Sequence, residues 1–181
     1  MGHPLLRMRS EKVDDPASNE VKRLVSNMIS TLNRAKGAGL AAPQVGVLKR
    51  VVIFRVPKER IKEERNSNIV DLTVLVNPKI KILTKKKEMG WEGCLSVPGL
   101  RGIVSRFYSV RYSGYTTDGK KIIREARGFH ARVVQHECDH LDGVLYPMRM
   151  KDMSSLSFTD QLDPEASDLV QARLDTAGSI R

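Results

Sequence analysis

The sequence has few cysteines and no long apolar run, and each shortage excludes a class of protein. Only Cys94 and Cys138 occur among 181 residues, and Met1–Arg7 lacks the apolar core of a signal peptide. Thiols stay reduced in proteins that are not exported, so a metal-binding or buried thiol is favoured over a disulfide. No stretch approaches the roughly 18 apolar residues of a membrane helix. We therefore expect a cytoplasmic protein, or one in an organelle matrix if a leader has been removed.

Internal repeats and domain linkers are also absent. A chain of 181 residues with 40% apolar and 29% charged residues is typical of one globular domain. Its net charge of +10 is uneven, since residues 151–181 carry −3 and the first 150 therefore carry +13. Such a basic surface favours polyanions and predicts a weak electrostatic association with the ribosome. The alternative is a solvated face that keeps the protein soluble, which the lack of an RNA-binding motif favours. We expect no membrane partner and no sequence-specific nucleic acid.

Histidine is scarce as well, and two of the four histidines fall in the pentad His136–His140. Their spacing of four places both imidazoles on one face of a helix, where they can hold a single metal ion. Glu137 lies on the same turn and can act as general base towards a water on that ion. The pattern fixes only three residue types, so it also occurs on ordinary polar helix faces. His130 lies about 120° away around the helix and is expected to be a surface or packing residue.

Apolar periodicity predicts the elements around this motif. An amphipathic helix is predicted by Val21, Leu24, Val25, Met28, Ile29 and Leu32, with Ser18 or Asn19 as its cap and Gly37 as its end. Residues 1–17 are predicted to be an irregular lead-in, and 57–68 an exposed loop or a short solvated helix. Strands are predicted over 51–56, 72–76, 79–83, 104–115 and 120–125. Asn77-Pro78 is a predicted turn or edge kink, and 117–119 a predicted hairpin turn. Residues 85–87 are a predicted hairpin tip or charged edge. The motif helix is predicted to begin at Gly128 and to end near Asp142-Gly143.

The motif helix supplies two metal ligands, whereas a catalytic site needs three and an open position. The third is either a downstream carboxylate or the thiolate of Cys94, which comes from a separate segment. Cys138 lies about 200° around the helix from His136 and is expected to pack against the core. The alternative for Cys94 is a small buried residue on a strand, which is the commoner role of a lone cysteine.

In the small-residue segment 37–46, the single polar side chain Gln44 is weak evidence for an oxyanion-binding amide, and composition favours a tight turn.

Three stretches together resemble the signature motifs of the peptide deformylase family: Gly37–Gln44, Glu92–Ser96 and Gln135–His140. They match in order, and the resemblance covers roughly residues 3–150. With the predicted elements, it implies an α+β fold of antiparallel sheets around a central helix that carries H-E-x-x-H, with an N-terminal amphipathic helix. Residues 1–150 would form a single catalytic domain, and 151–181 a tail or terminal helix. The Ala131-Arg132 pair is similar to the organelle-type branch of the family.

The resemblance implies hydrolysis of the N-formyl group from the initiator methionine of N-formylmethionyl nascent peptides, with release of formate. One Fe2+ per chain, or Zn2+, Ni2+ or Co2+ in purified protein, would be held by Cys94, His136 and His140. Glu137 would take a proton from the water and pass it to the leaving amine. Gln44 and the backbone N–H of Leu95 would donate to the oxyanion.

The resemblance also implies a set of substrate-binding residues. Gly39 and Gly99 would lie along the peptide, and Arg101 would sit near the mouth of the methionine pocket. Phe129 and Val133 would line that pocket. The family's structural ion pair would be formed by Glu92 and Arg106.

Two other classes of function stay open at this point. A different metal-dependent amidase or a peptidase would share the motif helix but use another third ligand. A non-catalytic basic protein would bind the ribosome or RNA, and would have no reason to keep Cys94, Glu137 and Gln44 together.

Overall fold

The computed structural model describes residues 1–58 and 69–162. Its two α-helices are α1, Asn19–Ala35, and α2, Gly128–Leu141. The strands are β1 Gly39–Ala41, β2 Val51–Val56, β3 Val70–Ile82, β4 Lys87–Cys94, β5 Val97–Phe107, β6 Ser109–Tyr115, β7 Lys121–Arg127 and β8 Ser157–Phe158. Most of the polar segment 57–68 lies outside the described residues.

The strands form two antiparallel sheets with α2 packed against both. The larger sheet has the order β1-β2-β3-β6-β7 and the smaller one the order β4-β5-β8. Helix α2 contacts β1, β2 and β7 of the larger sheet and β5 of the smaller one. The predicted α+β fold of antiparallel sheets is therefore confirmed. Within the described residues, neither helix has the length and apolar character needed to cross a bilayer.

Strand β2 is buried on both faces, because helices cover both sides of the larger sheet. Val52 and Phe54 face α2, whereas Val51 and Ile53 belong to the cluster under α1. This accounts for the nearly continuous apolar sequence of β2. Cys138 packs in the cluster under α2, as predicted.

Helix α1 follows the predicted apolar stripe. Ser18 caps its N-terminus, since its Oγ accepts a hydrogen bond from the backbone N–H of Val21 at 3.4 Å. The buried positions are Val21, Val25, Met28 and Leu32. The left-handed residue at its C-terminus is Lys36, with φ 51°, and not the predicted Gly37.

Of the two alternatives predicted for Asn77-Pro78, the turn is wrong, because β3 continues through these residues. They form a kink instead, although within an inner strand and not at a sheet edge. Asn77 adopts φ 52° and the pairing with β6 shifts register there. Its side chain is fixed by hydrogen bonds with the backbone N–H and carbonyl of Val13, at 2.9 and 2.8 Å. The contact with Val13 in the N-terminal segment therefore holds Asn77 in an irregular conformation within one continuous strand.

The predicted strand 104–115 is in fact parts of two strands. Tyr108 separates β5 from β6, so the chain passes there from the smaller sheet to the larger. The lysines at 85–87 lie where β3 of the larger sheet leads to β4 of the smaller, and not at a hairpin tip. The predicted hairpin turn at 117–119 does join β6 to β7, with Gly119 at φ 74°.

Residues 151–162 attach to the smaller sheet. Strand β8 pairs with β5, with Phe158 opposite Leu100. Ser155 is buried, and its Oγ accepts a hydrogen bond from the backbone N–H of Ile103 at 3.2 Å. The rest of the segment predicted as a tail or terminal helix, 163–181, lies outside the described residues.

Candidate metal centre

Three potential metal ligands from two elements converge where the sheets meet. Cys94 ends β4, while His136 and His140 lie one turn apart on α2. Their ligand atoms lie within 4.8 Å of one another, and Cys94 Sγ is 3.3 Å from His140 Nε2. Burial lowers the pKa of His140 to about 3, so its imidazole is neutral and has a lone pair to offer. A thiolate with two imidazoles suits a first-row transition metal or zinc.

Glu92 orients one of these histidines. Its Oε2 accepts a hydrogen bond from His136 Nδ1 at 2.8 Å, which leaves Nε2 as the nitrogen available to a metal. Arg106 donates to both Glu92 oxygens, from Nε at 2.8 Å and from Nη2 at 2.9 Å. Burial opposes the charge of Glu92, but the hydrogen bonds from Arg106 and His136 outweigh it and hold its pKa well below the usual range. The ion pair that the resemblance implied is therefore present.

Glu137 lies beside the three ligands and is almost fully buried, with 4% of its surface exposed. Burial raises the pKa of its carboxyl to about 7. Within the described part of the chain, Glu137 Oε2 and His140 Nδ1 are buried without a hydrogen-bond partner. Unsatisfied buried groups of this kind are rare, and a metal with its water would supply the carboxylate with a partner. The residues present thus fit a catalytic metal.

Gln44 approaches the centre from the 3₁₀ turn Ala42–Val45. Its Oε1 accepts a hydrogen bond from the backbone N–H of Ala41 at 2.8 Å, which settles the orientation of the amide. Its Nε2 donates to Ser96 Oγ at 3.1 Å and lies 3.5 Å from Cys94 Sγ. Leu95 lies in the turn between β4 and β5, next to Cys94, with its side chain half exposed. An amide N–H and this short turn therefore border the ligand cluster.

A cleft of about 520 Å³ opens beside the cluster. All five residues predicted to bind substrate line it: Gly39, Gly99, Arg101, Phe129 and Val133. Strand β1 is the outer strand of the larger sheet, so one of its edges has no neighbouring strand among residues 1–58 and 69–162. The cleft therefore combines a strand edge with apolar side chains from α2.

Gly39 also makes a close contact that the sequence did not reveal. A Cβ at this position would overlap Oε1 of Glu137 and lie 2.5 Å from its Cδ. The glycine therefore makes room for the carboxylate itself. Nothing in the local sequence indicates this contact, because the two residues are almost a hundred positions apart.

The sequence analysis also did not predict the ion pairs of two charged residues of α2, Asp139 and Arg132. Asp139 accepts hydrogen bonds from Arg106 at 2.5 Å and from Arg149 at 2.7 Å. Arg132 donates to Glu92 Oε1 at 2.9 Å, a contact that the similarity of Ala131-Arg132 to one family branch does not predict. A buried charge needs a partner, so the place of Arg132 on the motif helix, one turn before His136, was the available signal.

Two histidines on a helix, a strand thiol and a buried carboxylate beside them define a metal-dependent hydrolase. The sequence model of the polypeptide deformylase family matches residues 1–155. Peptide deformylase 1 of Bordetella pertussis is 51% identical over 168 residues, which cover 91% of this chain and 93% of that protein. The chain therefore belongs to the polypeptide deformylase family. It is an enzyme that removes the N-formyl group from the initiator methionine of newly made polypeptides, with release of formate.

Solved structures of similar sequence support the same assignment. The Met-Ala-Ser-bound class I type b peptide deformylase of Acinetobacter baumannii has a TM-score of 0.74 and 35% identity, and covers 82% of this chain and 95% of that one. The Ehrlichia chaffeensis peptide deformylase in complex with actinonin has a TM-score of 0.77 and 29% identity, and covers 96% and 94%. The similarity of Ala131-Arg132 to the organelle-type branch stays a prediction.

Proposed function

We propose that Cys94, His136 and His140 hold the catalytic metal of this deformylase and that Glu137 moves the proton. The observation that carries this proposal is the meeting of the three ligand atoms within 4.8 Å, beside a carboxylate oxygen without a partner. When bound, the metal makes water nucleophilic near neutral pH and polarises the formyl carbonyl.

The protein residues then have separate tasks. Glu137, with a pKa near 7, takes the proton from the attacking water and returns it to the leaving amine. The Nε2–H of Gln44 and the backbone N–H of Leu95 donate to the oxygen that becomes negative. Since Ala41 anchors Gln44 Oε1, the amide presents its N–H without reorganisation.

The formylated peptide binds as an added strand along the free edge of β1. Gly39 and Gly99 lie along the peptide backbone, and Gly99 has φ 73°, which favours glycine. Phe129 and Val133 enclose the methionine side chain, and Arg101 stands near the mouth.

The two cysteines provide a matched test of the ligand set. Cys94→Ala is expected to lose stoichiometric metal and formate release from formyl-Met-Ala-Ser, whereas Cys138→Ala keeps both because Cys138 packs in the core. Glu137→Gln is expected to retain metal but lose turnover. Retention of metal and activity by Cys94→Ala would overturn the ligand set. Cleavage of internal peptide bonds would instead favour the peptidase alternative.

We propose Fe2+ as the native metal, with Zn2+, Ni2+ or Co2+ able to replace it. A thiolate ligand exposes a ferrous site to oxidation at the iron or at the sulfur. Aerobic purification should therefore lose activity that anaerobic handling or nickel exchange preserves. Full activity in an aerobically stored zinc form would contradict the ferrous assignment.

We propose that the weak association with the ribosome uses a second cleft of about 660 Å³ behind α2. Its basic lining residues are Arg50, Lys79, Lys87, Arg106, Arg149 and Lys151, with Asp139 and Asp142 as the acidic ones. Ribosome pelleting should weaken with rising salt. It should also weaken in the triple alanine variant of Lys79, Lys87 and Lys151, but not in a control variant of Lys22, Lys120 and Lys121. Equal pelleting by both variants would contradict this surface.

We further propose that residues 1–150 form the single catalytic domain and that residues 151–181 take no part in catalysis. We also propose that the enzyme acts in the cytoplasm. The family match to residues 1–155 supports the first assignment. Because β8 pairs with β5, a truncation that tests the remainder must leave Ser157–Phe158 in place. A chain ending at residue 162 is expected to keep full formate release, and a large loss would give the removed residues a catalytic role.

A further inference from the structure

Arg132 joins the helix of the histidines to the strands of the smaller sheet. From α2, its Nη1 donates to Glu92 Oε1 at 2.9 Å and to the carbonyl of Val104 on β5 at 2.8 Å. Its Nη2 donates to the carbonyl of Glu88 on β4 at 2.8 Å. The residue is only 9% exposed. A single guanidinium therefore spans α2, β4 and β5.

The space for this guanidinium exists because residue 90 has no side chain. A Cβ on Gly90 would lie 2.7 Å from Nη2 of Arg132 and 2.8 Å from its Cζ. The carbonyl of Gly90 also accepts from Nη1 at 3.3 Å. Gly90 and Arg132 thus form a matched pair, since the position of the arginine depends on the absence of a side chain at 90.

Arg132 completes the hydrogen bonding of Glu92. Oε1 accepts from Arg106 and Arg132, whereas Oε2 accepts from Arg106 and His136. Arg106 lies on β5 and fixes the carboxylate from the sheet side. Arg132 ties the same carboxylate to α2, one turn before His136.

Because β4 ends at Cys94 and α2 carries both histidines, any change in the spacing between β4 and α2 changes the spacing of the ligands. We propose that Arg132, in the space left by Gly90, is a positioning residue that sets this spacing and the orientation of Glu92, and so the affinity for metal. The inference rests on the proposed ligand set of Cys94, His136 and His140.

The test measures Co2+ binding to metal-free full-length protein by competition with a chelator, together with the thiolate-to-cobalt absorption band. Arg132→Met, which keeps bulk but removes the donors, is expected to bind Co2+ about 10-fold more weakly. This is the low end of the cost of losing a direct partner of a metal ligand, because Arg132 acts on His136 only through Glu92. Arg132→Lys should be intermediate, because an ammonium replaces the charge but not the planar set of donors. The control is Arg111→Met, which removes an arginine from the exposed ion pair with Glu125 and should bind Co2+ as the wild type does.

Gly90→Ala tests the same contact while keeping the arginine. Alone it should weaken Co2+ binding by displacing the guanidinium, although alanine suits a strand otherwise better than glycine. Added to Arg132→Met, it should have little further effect, so the two changes are expected to be non-additive. Additive effects would overturn the proposed pairing. Gly90→Ala and Arg132→Lys also keep the test decisive if Arg132→Met does not fold.

The outcomes separate this inference from the proposed ligand set. If the wild type binds Co2+ without a thiolate band, the ligand set is wrong. If the wild type shows the band and Arg132→Met binds Co2+ with unchanged affinity, the ligand set stands and the positioning role of Arg132 is wrong.

Discussion

At the scale of single residues, the role proposed for Gln44 as a donor to the oxyanion is the easiest to isolate. Gln44→Ala is expected to lower kcat by about 10²-fold or more with the metal still bound, because one oxyanion donor is worth ~2.7–4 kcal/mol in acyl-transfer enzymes. Steady-state formate release with metal analysis checks this. Ser96→Ala is the control, since it removes only the Oγ that Gln44 Nε2 contacts and leaves the anchor at Ala41. It should cost less than tenfold, and unchanged turnover in Gln44→Ala would reject the role.

The close contact of Gly39 with Glu137 leads to a second prediction. Gly39→Ala should push the Glu137 carboxylate from its place, because a Cβ would lie 2.5 Å from its Cδ. We expect kcat to fall by about 10²-fold, within the range of losses for misplaced general bases, with metal content retained. Separate measurement of kcat and KM distinguishes displacement of Glu137 from weaker peptide binding. A higher KM with unchanged kcat would mean that Gly39 matters for peptide binding and not for placing Glu137.

The residues of the site differed in how far the sequence could predict them. His136 and His140 follow from helical geometry, since a spacing of four places them on one face wherever the helix lies. The thiol of Cys94 stayed one of two choices until the family resemblance was considered, because local sequence does not show which distant strand reaches the helix. Arg132 was missed for the same reason, as its partners lie on β4 and β5.

At the scale of elements, α1 supports the larger sheet and contributes no side chain to the ligand cluster. Met28 is fully buried against the face of the sheet opposite α2. Met28→Ala should therefore lower the free energy of unfolding by about 2–5 kcal/mol through lost burial and a residual cavity. Turnover below the unfolding transition should stay unchanged. Urea denaturation and formate release measure the two quantities.

The exposed neighbour Asn27 provides the control for this element. Asn27→Ala should change the free energy of unfolding by less than about 0.5 kcal/mol, as surface substitutions usually do. A stability loss as large as that of Met28→Ala would show that the helix itself, and not its buried face, is sensitive to substitution.

Periodicity predicted helices better than strand boundaries, and the reason is physical. The stripe of α1 and the cap at Ser18 are local properties of one segment, so both were predictable. The continuity of β3 depends on Asn77 bonding to Val13, 64 residues away. The break at Tyr108 depends on which sheet each half of the segment joins, which the pattern of apolar residues does not encode.

At the scale of the whole molecule, the site exists because α2 holds the two sheets together. The smaller sheet supplies Cys94 and Glu92, and α2 supplies His136, Glu137 and His140. The larger sheet supplies the edge strand β1 on the other side of the cleft. Packing of α2 against the larger sheet therefore bears on the stability of the entire assembly, and His130 is part of that packing.

His130 makes this packing sensitive to acid. Its ring lies 5.5 Å from that of Tyr112 and 5.9 Å from that of Phe54, and its Nε2 is buried without a hydrogen-bond partner among the described residues. Burial, with the nearby charge of Arg124, lowers the pKa of His130 to about 4. In an unfolded chain the histidine pKa is about 6.5. Between pH 4 and pH 6.5, approximately, the unfolded chain therefore binds a proton at residue 130 that the folded protein does not bind.

The free energy of unfolding should therefore fall as the pH drops from about 6.5 to about 4, and His130 should account for about 1–3 kcal/mol of that fall. His130→Phe keeps an aromatic ring in the core and removes the titrating group. Its free energy of unfolding, relative to that of the wild type, should therefore rise as the pH falls from about 6.5 to about 4. Urea denaturation at several pH values, with both proteins in the same metal state, measures the difference. His3→Phe, at an exposed position, should follow the wild type. A difference between His130→Phe and the wild type that stays constant with pH would show that this histidine is not the source of the acid sensitivity.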